Sequence, residues 1–168
     1  MAPKTRAFLA ASLPLLLADR FTKILAYAQL EPPGIPHRFI GEVARLTLVF
    51  NREAAMNIPL GPWSRWGLAA IAAIGIIVMV QLLRQAPSAA RLIGLALGLI
   101  AAGAAGNLID RIRWDRGVID FIDLGVGTHR FWTFNVADIG VTAGAILLAL
   151  IYSRERPHQV APVEQAEL

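Results

Sequence analysis

The sequence predicts an α-helical integral membrane protein with four transmembrane helices and a small β-rich module outside the bilayer, as one domain over residues 1–168. Three observations carry this. The chain is 56% apolar and only 17% charged, against about 25% charged in a typical soluble domain. Its apolar residues fall into stretches of bilayer length, and its polar residues collect at one set of stretch ends. Disorder and an ordinary water-soluble enzyme are disfavoured by this composition. With no Cys, thiolate chemistry, disulfides and thiolate metal sites are excluded. The net charge of +4 is not gathered into a basic run, so an anionic membrane surface explains it better than nucleic acid.

The first span, residues 7–30, opens with an uncharged run (Ala7–Ala18) and then carries Asp19, Arg20 and Lys23. Lys4 and Arg6 before that run, with Ala26-Tyr27-Ala28 after it, imitate a cleavable secretory signal. Three charges between the run and that site argue for a retained span instead. Residues 66–83 are apolar apart from Gln81, and residues 92–109 apart from Asn107. At ~1.5 Å per residue, each such stretch covers ~27 Å of a hydrocarbon core about 30 Å thick. The fourth span, residues 134–152, is interrupted by Asn135, Asp138 and Thr142.

Between the first two spans, Val43–Asn51 is rich in β-branched and aromatic residues and reads as a strand. Pro32, Pro33, Pro36, Pro59 and Pro62 delimit a β module over residues 31–62. Gly94, Gly98, Ala102 and Gly106 recur every four residues, a ridge that lets a second helix approach closely. Basic residues are denser on the face holding the termini and the Arg84–Arg91 loop, which places the termini in the cytoplasm. Trp63, Trp66, Trp114 and Trp132 all fall on or beside the opposite face, as rings at a headgroup boundary do.

Polar residues gather on that opposite face. Asp19 and Lys23 end the first span, Asn51 ends the strand, and Asn107, Asp110 and Arg111 end the third span. Asp120 and Asp123 fall in a loop, and Asn135 and Asp138 open the fourth span. Each has a plainer explanation. Asp19 and Lys23, four apart, could neutralise each other; Asp110 beside Arg111 could be a surface pair; Asp123 could be solvated; Asn135 and Asp138 could cap a helix. Asp120, set among Ile119, Phe121 and Ile122, is harder to dismiss as a wet loop charge, and Asp138 is equally hard to dismiss as a mere cap.

There is no HExxH pair, no GxSxG around any Ser and no phosphate-cradling Gly loop. Two carboxylates remain as the engine. In a small, poorly hydrated site both cannot ionise, so the pair holds one proton. The ionised member can take a proton from water while the protonated one hydrogen-bonds a scissile carbonyl. Spacing alone does not say which two Asp pair.

Four blocks of the chain carry a family resemblance: DRFTK (Asp19–Lys23), NREAAMN (Asn51–Asn57), GNLIDRIRWDRGVIDFIDL (Gly106–Leu124) and FNVADIGVTAG (Phe134–Gly144). In these the chain resembles the bacterial lipoprotein signal peptidases (signal peptidase II), four-span aspartyl membrane proteases. The resemblance implies Asp120 and Asp138 as the catalytic pair. It puts Asn51, Asn107, Arg111 and Asn135 on positions lining the substrate pocket, and Asp110, Asp19 and Lys23 on supporting positions. It also implies a periplasmic β-rich cradle over the β module, and an active site near the periplasmic interface of the bacterial inner membrane. The substrates would be prolipoproteins carrying diacylglycerol on the lipobox Cys, cut N-terminal to that Cys, with membrane lipid as the other partner and no cofactor or metal. The departures, Glu53 and Met56 where the family commonly has Gly and Phe and a slightly longer spacing from the DR pair to GVIDF, bear on pocket shape and loop flexibility. Two rival readings stand beside this one. Asp110, Asp120 and Asp123 could hold a divalent metal in a phospholipid transferase, or intramembrane Asp and Arg could serve a non-enzymatic transporter or helper subunit.

Overall fold

The computed structural model describes residues 1–52 and 64–154. Within them the chain runs α1 (Pro3–Gln29), β1 (His37–Ile40), β2 (Ala44–Asn51), α2 (Ser64–Gln85), α3 (Arg91–Arg113), β3 (Val118–Val126), β4 (His129–Arg130) and α4 (Val136–Arg154). Glu53, Met56, Pro59, Pro62 and Trp63, all singled out in the sequence, lie outside the described residues.

Among the described residues three helices, α2, α3 and α4, are long and apolar enough to cross a membrane. α2 and α3 extend the expected spans 66–83 and 92–109 at both ends, whereas α4 starts and ends two residues later than the expected 134–152. α1 has the length but carries Asp19, Arg20 and Lys23. Asp19 and Lys23 are fully buried, which turns these charges into the bundle. Most of the large apolar side chains of α2 point outward, among them Ile71, Ile74, Ile77 and Val78. Such an outer face suits lipid rather than water.

α3 is the central helix, packed against α1, α2 and α4. The small-residue ridge explains how. A Cβ at Gly94 would strike the backbone of Lys4, and one at Gly98 the backbone of Phe8, so α1 and α3 run parallel with their backbones nearly touching. On the other flank a Cβ at Gly103 would meet Ala137 and one at Gly144 would meet Ala96, which sets α4 antiparallel to α3. At the start of α1, Lys4 Nζ donates to the carbonyl of Arg84 (2.9 Å) in the last turn of α2 and to that of Ala86 just beyond it.

The four strands form one sheet in the order β1-β2-β3-β4. β2 agrees with the strand expected at Val43–Asn51. β3 corrects the sequence reading, because Asp120 and Asp123 lie in a strand and not in a loop. It pairs antiparallel with β2, with Val49 opposite Asp120, Phe50 opposite Ile119 and Asn51 opposite Val118. The β module is therefore built from two distant parts of the chain. Val118, Ile119, Asp120 and Phe121 are all buried, so this strand is covered on both faces. Ile119 and Phe121 join Leu48, Ala26 and Leu30 in an apolar cluster that seats the sheet on the end of α1.

Candidate active site

Asp120 is buried in the first half of β3, on the same face of the sheet as Asn51, its diagonal cross-strand neighbour. Asn51 Nδ2 donates to Asp120 Oδ2 at 3.1 Å, and Asn135 Nδ2 donates to Asp120 Oδ1 at 2.6 Å. Asp138 sits in the first turn of α4. Asn107 Nδ2, from α3, donates to Asp138 Oδ1 at 2.8 Å, and the backbone N–H of Asn135 donates to Asp138 Oδ2 at 3.0 Å. Asn135 thus touches both carboxylates, one through its side chain and the other through its backbone.

The two aspartates line a common cavity of about 590 Å³. Its polar end holds Asn51, Asn107, Arg111, Asp120 and Asp138; Leu68 and Ile71 of α2 and Val141 of α4 form an apolar wall. Burial pushes the Asp120 carboxyl up to about 7, helped by the negative charge of Asp138 and opposed by the bonds from Asn51 and Asn135 and by the Lys23 charge. A carboxyl so placed holds its proton near neutrality, and its neighbour shares the same space.

Behind the cavity is a second polar layer. Lys23 Nζ lies 3.0 Å from Asp19 Oδ2, 2.9 Å from Asp110 Oδ2 and 2.9 Å from Asn107 Oδ1. Arg20 pairs with the other oxygen of Asp110, and the backbone N–H of Ile119 reaches Asp110 Oδ2 at 3.3 Å. Asp19 Oδ1 accepts the backbone N–H of Ala137 at 3.0 Å, tying α1 to the start of α4. Asp110 is fully buried, which corrects the surface-pair alternative: its partners are Arg20 and Lys23, not Arg111. Arg111 lines the cavity instead.

Asp123 is buried rather than solvated. It accepts from Arg130 Nε at 2.8 Å and from Thr47 Oγ1 at 3.2 Å. Asp110, Asp120 and Asp123 are therefore separated into three hydrogen-bonded settings. Among the described residues no three His, Asp or Glu side chains lie together as metal ligands could, so the donor set of the transferase reading is not assembled. Residues the sequence reading did not place at the site are Arg20, Arg130 and the rim Phe131–Phe134, which lines the cavity. Arg20 stands inside the DRFTK block, so its signal was present. Nothing in the local pattern marks Arg130, whose role depends on the strand pairing.

Comparisons with known proteins agree with one another. A family profile described as signal peptidase (SPase) II matches residues 11–154. A protein named lipoprotein signal peptidase from Paraburkholderia phytofirmans is 36% identical over 158 residues, spanning 89% of this chain and 90% of that one. One of the same name from Hydrogenovibrio crunogenus is 38% identical over 142 residues, 81% of this chain and 78% of that one. Among solved structures, a bacterial membrane enzyme superposes with a TM-score of 0.76 at 28% identity, covering 92% of this chain and 94% of the other.

Proposed function

The chain belongs to the signal peptidase II family, and from that membership we propose that it removes the signal peptide from prolipoproteins, using Asp120 and Asp138 as its catalytic pair. The observation that carries the assignment is the shared environment of these two carboxylates: one cavity, one bridging asparagine, and a carboxyl at Asp120 held protonated to about 7. The chemistry follows from that. The ionised carboxylate takes a proton from water, whose oxygen attacks the scissile carbonyl. The protonated partner donates to the carbonyl oxygen as it gains charge. Collapse of the tetrahedral intermediate breaks the C–N bond, and the departing amine receives a proton from the pair.

Asn51, Asn107 and Asn135 hold the carboxyls in place, and Arg111 offers a positive charge at the cavity's polar end. Asp19, Lys23 and Asp110 support the layer behind. The cleaved bond is the one N-terminal to a Cys carrying diacylglycerol; the apolar wall of α2 and α4 suits its acyl chains. α1 is the fourth span, its charges neutralised inside the bundle, and the whole chain acts as one membrane-embedded unit. It resides in the bacterial inner membrane with its termini in the cytoplasm and the sheet on the periplasmic side, consistent with the exposed Trp66 and Trp132 near that end.

The test uses purified protein in detergent and a diacylglyceryl-modified precursor. Asp120→Asn and Asp138→Asn each remove cleavage while the protein still inserts and folds. Turnover retained by either variant would remove that residue from the mechanism.

A further inference from the structure

Lys23 contacts neither the cavity nor either proposed catalytic carboxylate. Its ammonium has three N–H donors and no acceptor; it donates to Asn107 Oδ1 at 2.9 Å and forms ion pairs with Asp19 Oδ2 at 3.0 Å and Asp110 Oδ2 at 2.9 Å. The side chain is fully buried. Its charge is matched locally: Asp19 and Asp110 stand against Lys23 and Arg20, so the cluster is neutral as a whole. Neutralising Asp19 and Asp110 explains two of its contacts. The third, to a neutral amide, has another consequence.

A donor-only group fixes which way an amide points. The Asn107 atom facing Lys23 must be its oxygen, and Asn135 Nδ2 donates to the same oxygen at 3.1 Å. The Asn107 NH₂ is thereby turned towards Asp138 Oδ1. The other oxygen of Asp138 meets the backbone N–H of Asn135, also a donor only. Both carboxylates accept at both oxygens. Asp120, on a buried strand, does so only from side-chain amides, whereas Asp138 also takes a backbone N–H and lies in the first turn of α4, whose dipole favours negative charge. A proton shared by the pair is left to Asp120.

From this arrangement, and resting on the catalytic reading above, we propose that Lys23 is a positioning residue that acts through Asn107 to hold Asp138 as the proton acceptor, with the shared proton on Asp120. The raised Asp120 carboxyl agrees with that division. Asp138 then activates water and Asp120 protonates the carbonyl oxygen, and the polarity of the pair is set from a helix that does not touch the reacting atoms.

The test is a double-mutant cycle between Lys23→Met and Asn107→Ala, both built on Asp19→Asn so that loss of the ammonium strands no carboxylate. Arg20 still pairs with Asp110. Lys23→Met lowers kcat by about 10- to 100-fold, the scale of a misplaced catalytic group, with KM within about threefold. Added to Asn107→Ala, it lowers kcat by less than about twofold more, because its route is already cut. Additive losses, or an unchanged kcat in folded protein, overturn the proposal; a purely structural lysine gives additive losses. Asn107→Asp in the otherwise native chain is the second variant. It keeps a partner for Lys23 and replaces the donor facing Asp138 with an acceptor, so kcat falls about 100-fold, and retained kcat overturns the proposal without relying on the cycle. Asp120→Asn and Asp138→Asn run alongside: cleavage surviving in those sinks the aspartate-pair reading, a result separate from any outcome at Lys23.

Discussion

Asn135 and Asp138 cap each other. The backbone N–H of Asp138 donates to Asn135 Oδ1 at 3.1 Å, and the backbone N–H of Asn135 donates back to Asp138 Oδ2 at 3.0 Å. This is the reciprocal box that starts many helices, written here with an amide and a carboxylate. The same two side chains face the cavity aspartate and Asn107. Helix initiation and site geometry are one structure.

That overlap can be separated by substitution. Asn135→Ser keeps an oxygen for the Asp138 N–H but cannot reach Asp120, so folding stability is largely retained while kcat falls about 100-fold. Asn135→Ala loses the cap as well, at about 1 kcal/mol. Thermal unfolding and turnover of the two variants, side by side, decide it: equal stabilities would show that the cap contributes nothing.

A second expectation concerns pH. Asp120 is faced by Asp138 from α4, by Asn51 and Asn135, and by the Lys23 and Arg111 charges from α1 and α3. Its proton is kept in the fold up to about 7 but is released near 3.8 in the unfolded chain. A raised carboxyl favours the fold fully below 3.8, and that advantage is lost as pH climbs through about 7. Wild-type protein should lose thermal stability across this window more steeply than Asp120→Asn. Turnover should decline as pH passes about 7, where the acid form is lost; a rate that stays level well beyond neutrality would contradict the assigned role.

Gly106 should tolerate no side chain. A Cβ there would collide with the Asp19 carboxylate and sit 3.3 Å from Ala137 Cβ, disturbing the ion pair with Lys23 and the tie from α1 to α4. Gly106→Ala is expected to cost about 1–3 kcal/mol, as overpacking does. Gly75→Ala, where a Cβ meets nothing within 4 Å, should be neutral or slightly stabilising. Melting temperatures in one detergent compare the two directly.

Arg130 fastens the cavity rim. Besides Asp123 Oδ1, it donates to the Asp123 carbonyl at 2.9 Å and to the Glu42 carbonyl at 2.8 Å. The next four residues, Phe131 to Phe134, line the cavity. Arg130→Met should raise KM several-fold with little change in kcat. A kcat loss with constant KM would place Arg130 in the chemistry instead.

The helices were legible because their apolar runs are long, and β2 because β-branched and aromatic residues crowd Val43–Asn51. β3 was not. Val118–Leu124 is apolar on both faces with carboxylates set among the apolar residues, so it lacks the alternation of a half-buried strand. Its partner β2 lies some seventy residues earlier. Asp123 looked wet for the same reason, since Thr47 and Arg130 become its neighbours only through that pairing. Asp19 and Lys23 were legible as a pair by their spacing of four, but Asp110 and Asn107 join them only because glycines let α1 lie close to α3. The motif blocks named the polar residues; tertiary contacts alone reveal which ones touch.

The glycine seam also governs traffic. Where α1 and α3 meet at Gly94 and Gly98, backbone lies against backbone, and no hydrocarbon tail can slip through. α2 and α4 instead flank α3, and the cavity reaches both, along Leu68 and Ile71 on one bank and Val141 and Thr142 on the other. A lipid-tethered polypeptide diffusing in the plane of the bilayer meets a closed wall on the first flank and a greasy cleft on the second, leading straight to the aspartates.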